Sequence, residues 1–181
     1  MFPPKTNFLV VDDMEPLRRV VRSMLRELGY HHVFEAPNVS QAIQVLEKGA
    51  SVGHEIEVIL SDWQMPGMTG LEFLGFVRTT EQYARLPFLM ITAEGQREQI
   101  IAAIQAGVSS YLVKPISLGQ LEDKLKAVWL KMKATGMAPG APPAGTVFAP
   151  PPPPPATPAA AQSAATPGAA TPPTAQPPAA T

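Results

Sequence analysis

Three carboxylates, a hydroxyl and an ammonium recur at one kind of place along this chain. Asp12 and Asp13 follow NFLVV (7–11), Asp62 follows EVILS (57–61), Thr92 follows PFLMI (87–91) and Lys114 follows SYLV (110–113). Each apolar run has the length and composition of a strand buried on both faces of a parallel sheet. In an open α/β sheet, ligands bind in the crevice outside the carboxyl ends of the strands. One sheet edge therefore gathers all five groups. Three carboxylates repel one another unless a cation sits among them, and hard oxygen donors suit Mg²⁺. The lysine adds a point charge for an anion. The chemistry implied is the handling of a phosphoryl group beside a divalent ion.

Helix-patterned stretches separate the strands. MEPLRRVVRSMLRELG (14–29) places apolar residues at 17, 20, 21, 24, 25 and 28, a single helical stripe. Pro16 suits its first turn and Gly29 its end. HVFEA (32–36) reads as a second strand and VSQAIQVLEKG (39–49) as a second helix, followed by a turn-rich ASVGHE. After the MPGMTG loop (65–70), LEFLGFVRTT reads as a third helix. GQREQIIAAIQAG (95–107) reads as the fourth and SLGQLEDKLKAVWLKMK (117–133) as the fifth. Five βα units predict an α/β fold, a doubly wound parallel sheet covered on both faces. The flavodoxin-like (βα)5 order 2-1-3-4-5 puts its switch point between the first and third strands, where Asp12, Asp13 and Asp62 lie.

Composition divides the chain in two. Residues 1–133 hold every charged residue, and 134–181 hold none but 15 of the 22 prolines, six of them consecutive at 150–155. The first part is predicted to be the folded domain. The second is predicted to be a disordered Pro/Ala-rich tail, stiff at the hexaproline block and either solvating or a ligand for an aromatic-lined groove. A net charge of −1 offers no basic field for nucleic acid. The absence of cysteine removes disulfide, thiol and Cys-zinc chemistry. No apolar run approaches the ~20 residues of a membrane helix and no signal-peptide h-region is found, so a cytoplasmic, membrane-free protein is expected.

Among the site candidates, Asp62 is the nucleophile: a carboxylate oxygen attacking phosphorus gives an aspartyl phosphate. Lys114 supplies a cation for the phosphoryl oxygens and Thr92 a hydroxyl donor. Pro115 predicts a fixed turn, of the kind a cis bond makes, that aims Lys114. Consecutive Asp12 and Asp13 can both reach the crevice only where strand gives way to turn; the plain alternative is that one caps the helix. Trp63, Met65 and Met68, in the loop after Asp62, are candidate contact residues. Tyr111 is a strand aromatic, and His31, His32 and His54 have no ligand spacing.

FLVVDD, SDWQMPGMTGLE, LMITAE, IIAAIQAG and YLVKP, in this order and spacing, resemble the receiver domain of two-component response regulators, in particular single-domain chemotaxis regulators of the CheY type. The resemblance covers residues 7 to about 131. It implies that Asp62 is the phosphoacceptor, charged by a histidine kinase of the chemotaxis (CheA-like) type. It implies that Asp13, Asp62 and the backbone carbonyl of Gln64 bind Mg²⁺ directly, with Asp12 acting largely through water. Lys114 then pairs with the phosphoryl group, and Thr92 swings to it, drawing Tyr111 inward. Gln64 and Glu94 flank the path of the hydrolytic water. The implied partner face spans the fourth helix, fifth strand and fifth helix, with Arg97, Ile100, Ile104, Tyr111, Val113 and Lys124. The downstream partner implied is a flagellar motor switch or other motility protein. ASVGHE and the tail are departures from that pattern.

On this reading the chain is a signalling switch rather than an enzyme, acting through protein contacts. Its output could equally be gliding or pilus motility, or a phosphate sink. The alternative is a Mg²⁺-dependent phosphohydrolase of the haloacid dehalogenase type. That family sets its nucleophile after the first strand with a second Asp two residues on; here the acids are adjacent and position 14 is Met.

Overall fold

The computed structural model describes residues 1–93 and 97–135. Five strands and five helices alternate: β1 (Phe8–Val11), α1 (Glu15–Glu27), β2 (Val33–Ala36), α2 (Val39–Val52), β3 (Val58–Asp62), α3 (Gly70–Thr79), β4 (Phe88–Ala93), α4 (Arg97–Gln105), β5 (Ser110–Lys114) and α5 (Leu118–Thr135). All strand neighbours are parallel and the order is β2-β1-β3-β4-β5, as the sequence predicts. α5 runs to Thr135, slightly beyond the expected end of the folded part at 133. The Pro/Ala-rich tail from 136 onward lies outside the described residues.

Alternation along the strands builds two cores. Leu9, Val11, Ile59, Phe88 and Met90 face α2, α3 and α4, meeting Ala42, Leu46, Phe73, Val77 and Ala103. Phe8, Val10, Leu60, Leu89, Ile91 and Leu112 face α1 and α5, meeting Val21, Leu25, Leu121 and Leu125. The central strands β1, β3 and β4 are buried on both faces, hence their unbroken apolar runs.

Two expectations are corrected. Val20 belongs to the predicted α1 stripe but is 46 % exposed, so the buried seam is narrower and centres on Val21 and Leu25. Gly49 does not stop α2, which continues through Val52 and absorbs half of ASVGHE into a further helical turn. Gly49 is instead buried where the chain returns: a Cβ there would stand 2.5 Å from the His54 carbonyl oxygen. The left-handed stop is Gly53, at φ 74°.

Arg78 holds the far edge of the sheet together. It is buried, and donates Nε–H to Gly107 O (3.0 Å) and Nη1–H to Ala84 O (3.2 Å) and Leu86 O (2.9 Å). One side chain thus ties α3 to the segment before β4 and the turn after α4. Burial lowers the guanidinium to about 10, which leaves it protonated at neutral pH. Arg78→Ala is expected to cost about 3 kcal/mol in chemical denaturation, since it leaves a cavity and three carbonyls short of a donor. A loss below about 1 kcal/mol would show that the clip is dispensable.

Candidate functional site

β1 ends at Val11, and Asp12 continues its pairing by donating its N–H to Ala36 O at 3.2 Å. The next residues turn. Asp12 Oδ1 accepts the Met14 N–H at 2.8 Å, which fixes a buried carboxylate at the sheet edge. Arg18 Nη1 donates to Asp12 O at 2.7 Å from the first turns of α1. Neither aspartate caps α1: the N-cap is Met14, without a side-chain cap bond. Asp13 is exposed.

Asp62 is the last residue of β3 and is buried. Its loop is closed on both sides, Trp63 N–H donating to Ile91 O (2.8 Å) and Gly70 N–H to Trp63 O (2.9 Å). Gly70 is there because nothing larger fits. A Cβ would stand 2.0 Å from Asp62 O and 3.0 Å from Met90 Sδ. α3 therefore begins in contact with the backbone of the candidate nucleophile, capped by Thr69 and Glu72 in a reciprocal pair.

The three carboxylates converge: one oxygen of each of Asp12, Asp13 and Asp62 lies within 4.8 Å of the others. Lys114, the last residue of β5, reaches across from the far side. Its Nζ lies 2.7 Å from Asp62 Oδ1 and 3.2 Å from Asp12 Oδ2. The Lys114–Pro115 bond is cis. Burial pushes the Asp62 carboxyl above its ordinary value, against the opposing pull of Lys114. Burial acts to lower Lys114, but its hydrogen bonds to Asp62 and Asp12 and their charges outweigh it and hold the ammonium above its ordinary value. One ammonium against three carboxylates leaves an excess of negative charge. The donor set, all oxygen and open on the Asp13 side, fits a hard divalent cation.

Thr92 and Tyr111 belong to a second feature, on the sheet face that packs against α4. Register pairs Met90 with Tyr111 and Thr92 with Val113, so Thr92 and Tyr111 are diagonal neighbours on one face. A small apolar crevice separates them, lined by Trp63, Met90, Thr92, Gln99, Ile100 and Tyr111. The Thr92 hydroxyl is aimed at Ala93 O (3.4 Å) and Gln99 Oε1 (3.5 Å). Tyr111 is half-buried, with Lys124 Nζ 4.9 Å above its ring.

Other expected residues separate. Gln64 is exposed directly after Asp62, Met65 is buried, and Met68 is 42 % exposed. Glu94 and the Arg97 side chain lie outside the described residues. On the expected partner face Ile104 is 60 % exposed, while Ile100, Val113 and Lys124 are half-buried. Ile101, 51 % exposed beside Ile104, was not among the expected residues. Neither were Arg18, Gly70 and Gln99, whose parts rest on contacts made six to eight residues back across a strand-to-helix turn, outside any helix or strand periodicity; only the glycine opening α3 carried a signal. No helix among the described residues is long and apolar enough to cross a membrane.

Comparison with known proteins points one way. The family model of the response regulator receiver domain matches residues 8–126. The chain is 42 % identical to chemotaxis protein CheY-3 of Vibrio cholerae over 124 residues, 68 % of this chain and 92 % of that protein. It is 40 % identical to chemotaxis protein CheY of Pseudomonas aeruginosa over 121 residues, 67 % and 94 % respectively. The solved structure of chemotaxis response regulator CheY4 of Vibrio cholerae superposes with a TM-score of 0.60 at 34 % identity, covering 67 % of this chain and 97 % of that one.

The raised Asp62 carboxyl has a pH signature. A carboxyl whose folded value is raised contributes stability fully below the unfolded aspartate range, and loses it as pH rises through the raised value. Without divalent ions, Asp62→Asn is expected to gain about 1 kcal/mol at pH 7 relative to the parent. The gain should shrink as pH falls toward 4. Paired denaturation curves between pH 4 and 8 check this, and a pH-independent difference would contradict it.

Proposed function

The chain belongs to the response regulator receiver domain family, and from that premise we propose that it is a phosphorylation-switched signalling protein with Asp62 as its phosphoacceptor. The observation that carries this reading is the buried Asp62 carboxylate held by Lys114 beside two further aspartates. A carboxylate oxygen of Asp62 forms a bond to the phosphorus of a phosphohistidine donor as the P–N bond breaks. The electron pair leaves with the imidazole, which takes up a proton. Lys114 is already in place to follow the charge, its ammonium passing from the Asp62 oxygen to the new phosphoryl oxygens.

Asp12, Asp13 and Asp62, with the carbonyl of Gln64, are the residues that would hold Mg²⁺. When bound, the ion offsets the charge of the carboxylates and of the incoming phosphoryl group. Gln64 and Glu94 are read as flanking the approach of the hydrolytic water. Thr92 then turns its hydroxyl toward the phosphoryl group, and Tyr111 moves into the crevice beside it. That movement alters the face formed by α4, β5 and α5, where Arg97, Ile100, Ile104, Tyr111, Val113 and Lys124 meet the partner.

The relatives that are chemotaxis proteins favour a kinase of the chemotaxis type and a motility protein as target, in the cytoplasm. Residues 136–181, uncharged and rich in proline, are read as an appendage with no part in the switching chemistry.

Incubation with acetyl phosphate and Mg²⁺ is expected to add about 80 Da to the intact protein, located at Asp62 by peptide mass spectrometry and lost on chelation or in Asp62→Asn. Persistent labelling of Asp62→Asn would refute the assignment. Beryllofluoride is expected to shift the Tyr111 ring resonances by NMR; an unchanged Tyr111 would rule out the aromatic movement.

A further inference from the structure

We propose that Gln99 is a latch on the switch: it holds the Thr92 hydroxyl in the resting orientation, and so sets how readily the domain takes up its phosphorylated conformation. This rests on Asp62 being the phosphoacceptor.

Thr92 Oγ1 lies 3.5 Å from Gln99 Oε1 and 3.4 Å from Ala93 O. A threonine hydroxyl has one proton to donate. While that proton is directed at α4 or at its own backbone, it cannot be given to an oxyanion on Asp62. Gln99 also lines the apolar crevice between Thr92 and Tyr111, so the same side chain partly fills the space an inward tyrosine needs. The Gln99 amide oxygen, the atom that faces the hydroxyl, accepts that proton.

The strength suits a latch rather than a lock. At 3.5 Å the contact is longer than an ordinary O–H···O bond and therefore weak, whereas a bond to a phosphoryl oxygen is charge-assisted and roughly twice as strong as a neutral one. Phosphorylation therefore wins the hydroxyl, against an opposing contribution that Gln99 determines. Placement gives the latch leverage. Gln99 lies in the first turn of α4, while the far end of α4 is held through Arg78 and the Gly107 carbonyl. Gln99 thus ties Thr92 to the near end of a helix that carries exposed Ile101 and Ile104 on the proposed partner face.

The test is a double-mutant cycle with beryllofluoride in saturating Mg²⁺ on the full chain, affinity being read by calorimetry and Tyr111 by NMR. Gln99→Leu keeps the bulk and removes the polar group, and Gln99→Ala removes both. Both are expected to bind roughly three- to tenfold more tightly than the parent. Their Tyr111 resonances should already lie part-way toward the bound positions without ligand. In a Thr92→Ala background Gln99→Leu is expected to change nothing further, because the hydroxyl it restrains is gone. Unchanged or weaker binding by both variants would overturn the latch, as would an equal gain in the Thr92→Ala background. Failure of the parent to bind beryllofluoride would instead overturn the phosphoacceptor assignment on which the latch stands.

Discussion

Everything at this sheet edge depends on one ammonium shared between two buried carboxylates. Lys114 Nζ touches both Asp62, at the end of β3, and Asp12, just past β1, the two carboxylates that flank the switch point. Burial would by itself disfavour all three charges. Together they form a partly compensated cluster, but Asp13 adds a further negative charge at its open side. A site balanced in this way suits a divalent cation, and on the proposed reading it then accepts a phosphoryl group. On the proposed reading the same lysine serves both states, pairing first with Asp62 and then with the phosphoryl group it carries.

The rest of the fold keeps those groups in register. The double-sided burial of β1, β3 and β4 fixes where each strand ends, and the candidate site residues lie at or next to those ends. Gly70 lets α3 start against the Asp62 backbone. Arg78 clamps the opposite edge, so that α3, the β4 approach and the α4 exit form one rigid frame. Among the described residues, the Gln99–Thr92 contact is a weak tie at the near end of α4. On the proposed reading, a firm hold at one end of α4 and a weak one at the other let phosphorylation displace the helix.

Much of this was legible in the sequence. Strand order, helix order and the grouping of Asp12, Asp13, Asp62 and Lys114 follow from apolar runs ending in polar residues, because sheet burial imposes that pattern directly. What was not legible had a different physical origin. Gly49 looked like a helix stop, but its role is a close approach to the His54 carbonyl, a contact set by the return of the chain. Val20 fitted the apolar periodicity, yet faces outward because only part of the stripe meets the sheet. Arg78 and Gln99 act through contacts across unrelated elements, and neither spacing nor composition marks them. Local periodicity reports burial; single tertiary hydrogen bonds it does not report.

The central claim is that the oxyanion pocket at Asp12, Asp13 and Asp62 is charge-deficient and completes itself with one divalent cation. Calorimetric titration of Mg²⁺ into the intact chain tests this most directly. The result expected is saturable one-site binding that is lost or severely weakened in Asp13→Asn, with the fold unchanged by circular dichroism. Absence of saturable heat in the parent, or undiminished binding in Asp13→Asn, would contradict it.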